Sequence, residues 1–206
     1  LGLYREYVLP HLVDRVLSGS GWERWRERTV DGLAGTVVEI GFGSGLNVPH
    51  YPDDVSMVYA VEPAERARRL AADRIAASHA QVRHIGLDGA RIPLPDSSCD
   101  AALSTFTLCT IPDVEAALGE LRRVLRPGGV FHFLEHGLAP DATMARVQRV
   151  IEPAQKLFAD GCHLTRDAPS LVEQAGFELK DVESRYVGGK APWNYLTVGV
   201  AASAAA

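Results

Sequence analysis

Short apolar runs alternate along this chain with longer amphipathic stretches, and that rhythm sets the expected architecture. Residues 36–40, 57–61, 81–85, 101–106 and 130–134 read as strands. Runs that are apolar at successive positions suit strands covered on both faces. Between them lie helical patterns. Residues 66–77 are rich in Ala, Leu and Arg, which favour a helix. After Pro112, Asp113 is suited to cap a helix, and Val114, Ala117, Leu118, Leu121, Val124 and Leu125 follow at helical spacing on one face. Arg126-Pro127-Gly128-Gly129 then breaks the pattern. Further helices are expected over 143–158 and 168–175, the second stopped at Gly176. Residues 178–187 and 195–201 read as strands joined by Gly188-Gly189-Lys190-Ala191-Pro192, a hairpin. Residues 3–17 read as a helix with Tyr4, Tyr7 and His11 on one side, and Trp22 and Trp25 as packing residues. The terminal run 201–206 reads as a frayed end. Alternating strands and helices predict an α/β fold, a mostly parallel sheet with helices on both faces.

The first strand carries the strongest chemical signal. It continues as Val37-Val38-Glu39-Ile40-Gly41-Phe42-Gly43-Ser44-Gly45, an apolar run ending in glycines at alternate positions. Glycines let a tight turn adopt positive φ and bring bare backbone close to a ligand. A dinucleotide site has G-x-G-x-x-G, but Leu46 stands at its third glycine, so the pattern is E-x-G-x-G-x-G. An acid about 20 residues farther on, at the end of the second strand, is placed to bond a ribose. Glu62 occupies that position, followed by Pro63. Asp88-Gly89 follows the third strand in the same way.

These three spaced features resemble the class I S-adenosylmethionine (SAM)-dependent methyltransferases, as does Leu125-Arg126-Pro127-Gly128-Gly129 before a strand. Over residues 33–201 the chain further resembles the branch that holds the methyltransferase-like 7 group of alkyl-thiol methyltransferases and its bacterial relatives. That likeness rests on Gly43-Ser44-Gly45-Leu46-Asn47 with Tyr51-Pro52, on Leu108-Cys109-Thr110, on Leu134-Glu135-His136, and above all on Asp160-Gly161-Cys162-His163-Leu164-Thr165-Arg166. His163 stands where the eukaryotic members usually carry asparagine, and Ala90 where many relatives have an acid. The eukaryotic members carry an N-terminal hydrophobic anchor, and none is expected within residues 1–206.

The resemblance implies a Rossmann-like fold of seven strands with the last one antiparallel. It implies SAM as cofactor and S-adenosylhomocysteine as product. The cofactor-binding residues would be Glu39, Gly41, Gly43, Gly45, Asn47, Glu62, Pro63, Asp88, Gly89, Thr105 and Phe106. Glu62 would hold both ribose hydroxyls, and Asp88 with the Gly89 N–H would face the adenine. Asn47 would contact the methionine end or cap the next helix. Ligands in open α/β sheets sit at strand C-termini, so Leu108 and Cys109 after the fourth strand are candidates for the acceptor pocket, with Arg166 to orient an anionic group and Tyr7 on the N-terminal helix to close over the acceptor. His136 is the candidate base, since imidazole titrates near neutral pH. A buried structural histidine is the plain alternative, just as Cys109 and Cys162 suit small packing positions and Arg166 suits a pair with Asp160.

Composition narrows the class. The chain has 206 residues, 47% hydrophobic and 23% charged, enough for one globular domain. Within it, residues 1–30 are expected to form an N-terminal helical segment, and 136–175 could form a partial cap over the site. No apolar run reaches the length of a membrane span. Net charge is −5, and the basic residues, nearly all arginine, form no stripe, which argues against nucleic acid. Cys99, Cys109 and Cys162 show no C-x-x-C spacing, so neither a metal site nor a disulfide framework is expected, and a reducing cytoplasm is the simplest location. The leading function is methyl transfer to a small acceptor, best matched by a thiol or sulfide. A lipid or quinone acceptor and a non-catalytic SAM sensor are the alternatives.

Overall fold

The computed structural model describes residues 4–86 and 88–203. Leu3, assigned to the first helix, and 204–206, assigned to the frayed end, lie outside them.

Among the described residues there are seven strands: β1 (Gly35–Ile40), β2 (Val55–Val61), β3 (Gln81–Gly86), β4 (Cys99–Thr105), β5 (Leu125–His136), β6 (Phe177–Tyr186) and β7 (Tyr195–Ser203). They form one sheet in the order β3-β2-β1-β4-β5-β7-β6. The first five pair in parallel, and β7 runs antiparallel to both of its neighbours, as expected. The chain leaves β1 toward one edge, then returns to lay β4 on the other side of β1. That reversal opens a crevice above the C-termini of β1 and β4, where such sheets bind ligands.

The helices are α1 (Leu9–Leu17), α2 (Ser20–Val30), α3 (Glu65–Leu70), α4 (Ala72–Ala76), α5 (Val114–Val124), α6 (Ala142–Phe158) and α7 (Ala168–Gln174). Successive strand side chains point to opposite faces, so the sheet carries a core on each side. Val38 and Ile40 join Leu118, Leu121, Phe131, Phe133 and Val172. Val37 joins Val30, Leu33, Val58, Ala71 and Leu103 on the other face. Burying each large apolar side chain contributes about 1.5–3 kcal/mol. Asp113 caps α5 as its position predicts, accepting the Ala116 N–H at 3.0 Å.

Four elements differ from the sequence expectation. Pro10 lacks an N–H and sits at the start of α1; residues Tyr4–Val8 before it wind as a wider π turn. The stretch 66–77 divides into α3 and α4 at Ala71, which is fully buried in the second core. β5 starts directly where α5 stops, without an intervening turn, and Gly129 lies so close to β4 that a Cβ there would be 3.0 Å from the Asp100 carbonyl oxygen. Ala201, Ala202 and Ser203 are paired strand residues, not a frayed tail. No described helix is long and apolar enough to cross a membrane.

Candidate functional site

At the end of β1 the backbone turns under a cleft of about 650 Å³. Gly41 has φ +68°, and a Cβ there would fall 1.9 Å from Thr107 Oγ1. Any side chain there would be strained and would force Thr107 to shift. At Gly43 (φ +56°) the added Cβ would meet nothing nearer than 3.8 Å, so bare backbone faces open space. Both line the cleft together with Asn47, Glu62, Pro63, Asp88, Gly89, Thr105 and Phe106.

Two carboxylates shape this end. Glu62, at the tip of β2, accepts the Gly43 N–H on one oxygen and the Ala64 N–H on the other, each at 2.8 Å. Burial still pushes its pKa upward against those bonds. Glu39 lies one layer lower. It accepts Asn47 Nδ2 at 2.8 Å and the Tyr51 hydroxyl. With 1% of its surface exposed, burial raises its pKa to about 7.

Sequence reasoning missed Arg26. It is 4% exposed, lines the cleft from α2, and donates to Asn47 Oδ1 at 2.8 Å and more weakly to Thr105 Oγ1. Burial lowers its pKa to about 10, so it stays cationic at neutral pH, and its Nε has no hydrogen-bond partner among the described residues. The signal was available: Trp22, Trp25, Arg26, Thr29 and Val30 fall at helical spacing on one face, so Arg26 sits in an otherwise apolar or small stripe.

The opposite wall is mostly apolar. Leu9, Val13 and Leu17 of α1 supply it, with Ile111 and Pro112 beyond β4 and Ala159 and Gly161 beyond α6. Phe106 holds a left-handed backbone (φ +52°), and its ring meets Trp22 edge-on at 5.3 Å. His163 also lines this wall, with Nδ1 3.4 Å from Glu152. Burial holds the His163 pKa below its usual value, so its imidazole is neutral at pH 7. Glu152 is fixed in turn by Thr165, whose N–H and hydroxyl donate to it at 2.8 and 2.7 Å.

A methyltransferase-domain family model matches residues 38–133. Thiol S-methyltransferase TMT1B of Rattus norvegicus is 35% identical over 80% of this chain and 67% of its own length. The chain belongs to the class I SAM-dependent methyltransferases. Thiol S-methyltransferase TMT1A of Homo sapiens is 35% identical over 69% of this chain, which covers 59% of that protein. A demethylmenaquinone methyltransferase of Thermus thermophilus is 33% identical over 68% of this chain and 66% of its own. Solved structures show the same fold. A methyltransferase of Haloferax volcanii in complex with the Trm112 activator has a TM-score of 0.75 at 15% identity, covering 98% of this chain and 97% of that one. Phospholethanolamine N-methyltransferase 2 of Haemonchus contortus, solved with S-adenosylhomocysteine, has 0.72 at 12%, covering 98% and 60%.

The methyltransferase takes SAM as cofactor, and the cleft fits it chemically. Bare loop backbone, a carboxylate at the end of β2 and a buried cation with an unpaired N–H meet a ligand that carries a ribose and an α-carboxylate. Nine of the sequence-derived cofactor positions face this methyltransferase cleft. Glu39 and Gly45 do not. Glu39 holds Asn47 and Tyr51 from below, and Gly45 packs where a Cβ would crowd Ala71, Val48 and Phe42 at 3.2–3.3 Å.

The acceptor-side residues fare differently. His136 is not among the cleft's lining residues. Alternation along β5 separates it from Glu135, which accepts the Thr107 and Leu108 N–H groups at 2.9 Å. His136 instead meets Cys162 Sγ at 3.0 Å and lines a second cavity of about 490 Å³. Leu108 and Cys109 are buried, 1% and 3% exposed. Arg166 donates to the carbonyls of Leu108 and Ile111, clamping the loop from behind. Tyr7 is 53% exposed and does not line the cleft. His11 accepts Arg66 Nε at 2.9 Å, with its imidazole near α3.

Proposed function

We propose that this methyltransferase methylates the sulfur of a small thiol. The observation that carries the reading is the 35% identity to a thiol S-methyltransferase across 80% of the chain. The site supplies the chemistry such a reaction needs. When bound, SAM supplies a methyl carbon made electrophilic by its sulfonium and leaves as S-adenosylhomocysteine.

The residues divide the work. Glu62 holds the ribose hydroxyls, its carboxylate already fixed by Gly43 and Ala64. Asp88 and Gly89 face the adenine. Arg26 meets the α-carboxylate, with Asn47 and Thr105 beside it. Glu39 acts from below by orienting Asn47. Phe106 and the α1 wall exclude water around the reacting sulfur. Positioning of this kind can lower the barrier by about 7–11 kcal/mol.

His163 takes the thiol proton. Its imidazole is neutral at working pH, and Glu152 beside Nδ1 steadies the cation that forms. A thiol asks little of such a base, because its own pKa near 8.5 already leaves a few per cent thiolate. Residues 136–175 lend Lys156, Gly161 and His163 to the wall and serve as a partial cap.

A quinol acceptor is the second reading. It is favoured by the 33% identity to a demethylmenaquinone methyltransferase and by the apolar α1 wall. Supplying alkyl thiols, demethylmenaquinol and phosphatidylethanolamine in parallel, with SAM, and identifying the methylated product by mass separates these. A methyl thioether supports the thiol reading. A C-methylated quinol alone assigns the acceptor to the second.

A further inference from the structure

Three side chains unused by the methyl-transfer chemistry meet beneath the loop that walls the cleft. Cys109 follows β4, His136 ends β5 and Cys162 follows α6. Their ligand atoms all lie within 4.8 Å of one another, the one such group of His, Cys, Asp or Glu among the described residues. Cys162 Sγ stands 3.8 Å from Cys109 Sγ and 3.0 Å from His136 Nε2. Both cysteines are free and all three residues are buried.

We propose that Cys109, His136 and Cys162 form a binding site for a zinc-class divalent metal ion. The site stands independently of which acceptor the enzyme methylates.

Geometry is the first support. Tetrahedral zinc with bonds of about 2.3 Å to sulfur and 2.0–2.1 Å to nitrogen sets two sulfurs about 3.8 Å apart, and sulfur and nitrogen about 3.6 Å apart. The two thiols already have that spacing. For a metal to replace the Cys162–His136 contact, that 3.0 Å spacing must open by roughly half an ångström.

Charge is the second. Binding releases two protons, one from each thiol, and joins a dication to two thiolates and a neutral imidazole. The resulting unit is neutral, the form a buried position tolerates. Two sulfurs and an imidazole select zinc over the hard cations magnesium and calcium.

Placement is the third. His136 lines the second cavity, giving an approach from outside the cofactor cleft. Three protein ligands leave a fourth position for water. The metal would tie together β5, the loop carrying Thr107 and Thr110, and the segment carrying Gly161 and His163. It would thereby fix two walls of the acceptor side.

Cobalt is the probe. Untagged, fully reduced protein is freed of metal by chelator and titrated with Co²⁺. The expected result is one Co²⁺ per chain, with thiolate-to-cobalt charge transfer in the near ultraviolet and strong tetrahedral bands in the visible, displaced by equimolar Zn²⁺. Cys109→Ser and Cys162→Ser should each remove about half of the charge-transfer intensity, and the double variant all of it, with SAM binding as the check that each folds. X-ray absorption of the zinc-loaded wild type needs no variant and should show two sulfur ligands and an imidazole. Two confirmed free thiols with no charge transfer at equimolar Co²⁺, a band that survives the double substitution, or a zinc shell of nitrogen and oxygen alone would each overturn the site.

Discussion

Glu62 accepts the Gly43 N–H at 2.8 Å, joining the tip of β2 to the glycine loop after β1. Its other oxygen is held by Ala64. Two strands that are neighbours in the sheet thus share one carboxylate, and the loop cannot move without it. Glu62→Ala should weaken SAM binding by about 1.5–3 kcal/mol, the scale of hydrogen bonds to a charged group. Calorimetry on a variant with unchanged unfolding behaviour checks this. Unaltered affinity would remove Glu62 from the ribose.

Arg26 makes a more selective prediction. A cation that meets the α-carboxylate matters only to ligands that carry one. Arg26→Met should lower affinity for SAM and S-adenosylhomocysteine by about 1.5–3 kcal/mol while leaving methylthioadenosine, which lacks the amino-acid end, nearly unaffected. Equal losses for all three ligands would mean that Arg26 only supports the loop.

Glu39 links the buried network to pH. Its folded-state pKa is raised to about 7 from 4.5 by burial. Between those values the unfolded chain has released a proton that the folded protein keeps, so the Glu39 contribution to stability falls as pH rises through this window. The total change is on the order of 3 kcal/mol. Unfolding curves from pH 4.5 to 7 should show a steeper decline in the wild type than in Glu39→Gln, the difference being the Glu39 share. Parallel pH dependence in the two proteins would refute it.

His163 should control turnover rather than cofactor affinity. His163→Asn should lower kcat with a weakly acidic alkyl thiol by up to about 10²-fold and spare an acidic aryl thiol, which arrives as thiolate. The acid limb of the pH–rate profile should disappear with it. Equal losses for both thiols would make His163 a packing residue.

The sequence disclosed what is local and hid what the fold assembles. Gly41 and Gly43 sit in one short loop and Glu62 follows the next strand, so spacing pointed to the cleft, while Asp88 came with the family resemblance. Arg26 reaches Thr105 across 79 positions, and only its place in the apolar stripe of α2 marks it. His136 follows Glu135 directly, but strand alternation sends the two side chains opposite ways, so one loop cannot receive both. Cys109 and Cys162 lie 53 positions apart and meet only because β4 and the segment after α6 converge. No local spacing pattern records that. Pro10 was legible as a helix start, since a residue without an N–H suits the first turn and not the interior.

Thiol methylation by this enzyme requires that methyl pass from SAM to thiol sulfur in the cleft. Its most direct test is a single turnover of enzyme loaded with methyl-labelled SAM and chased with an alkyl thiol. One labelled methyl thioether should form for each S-adenosylhomocysteine. S-adenosylhomocysteine without labelled thioether, or no turnover with thiols while demethylmenaquinol is methylated, would contradict it.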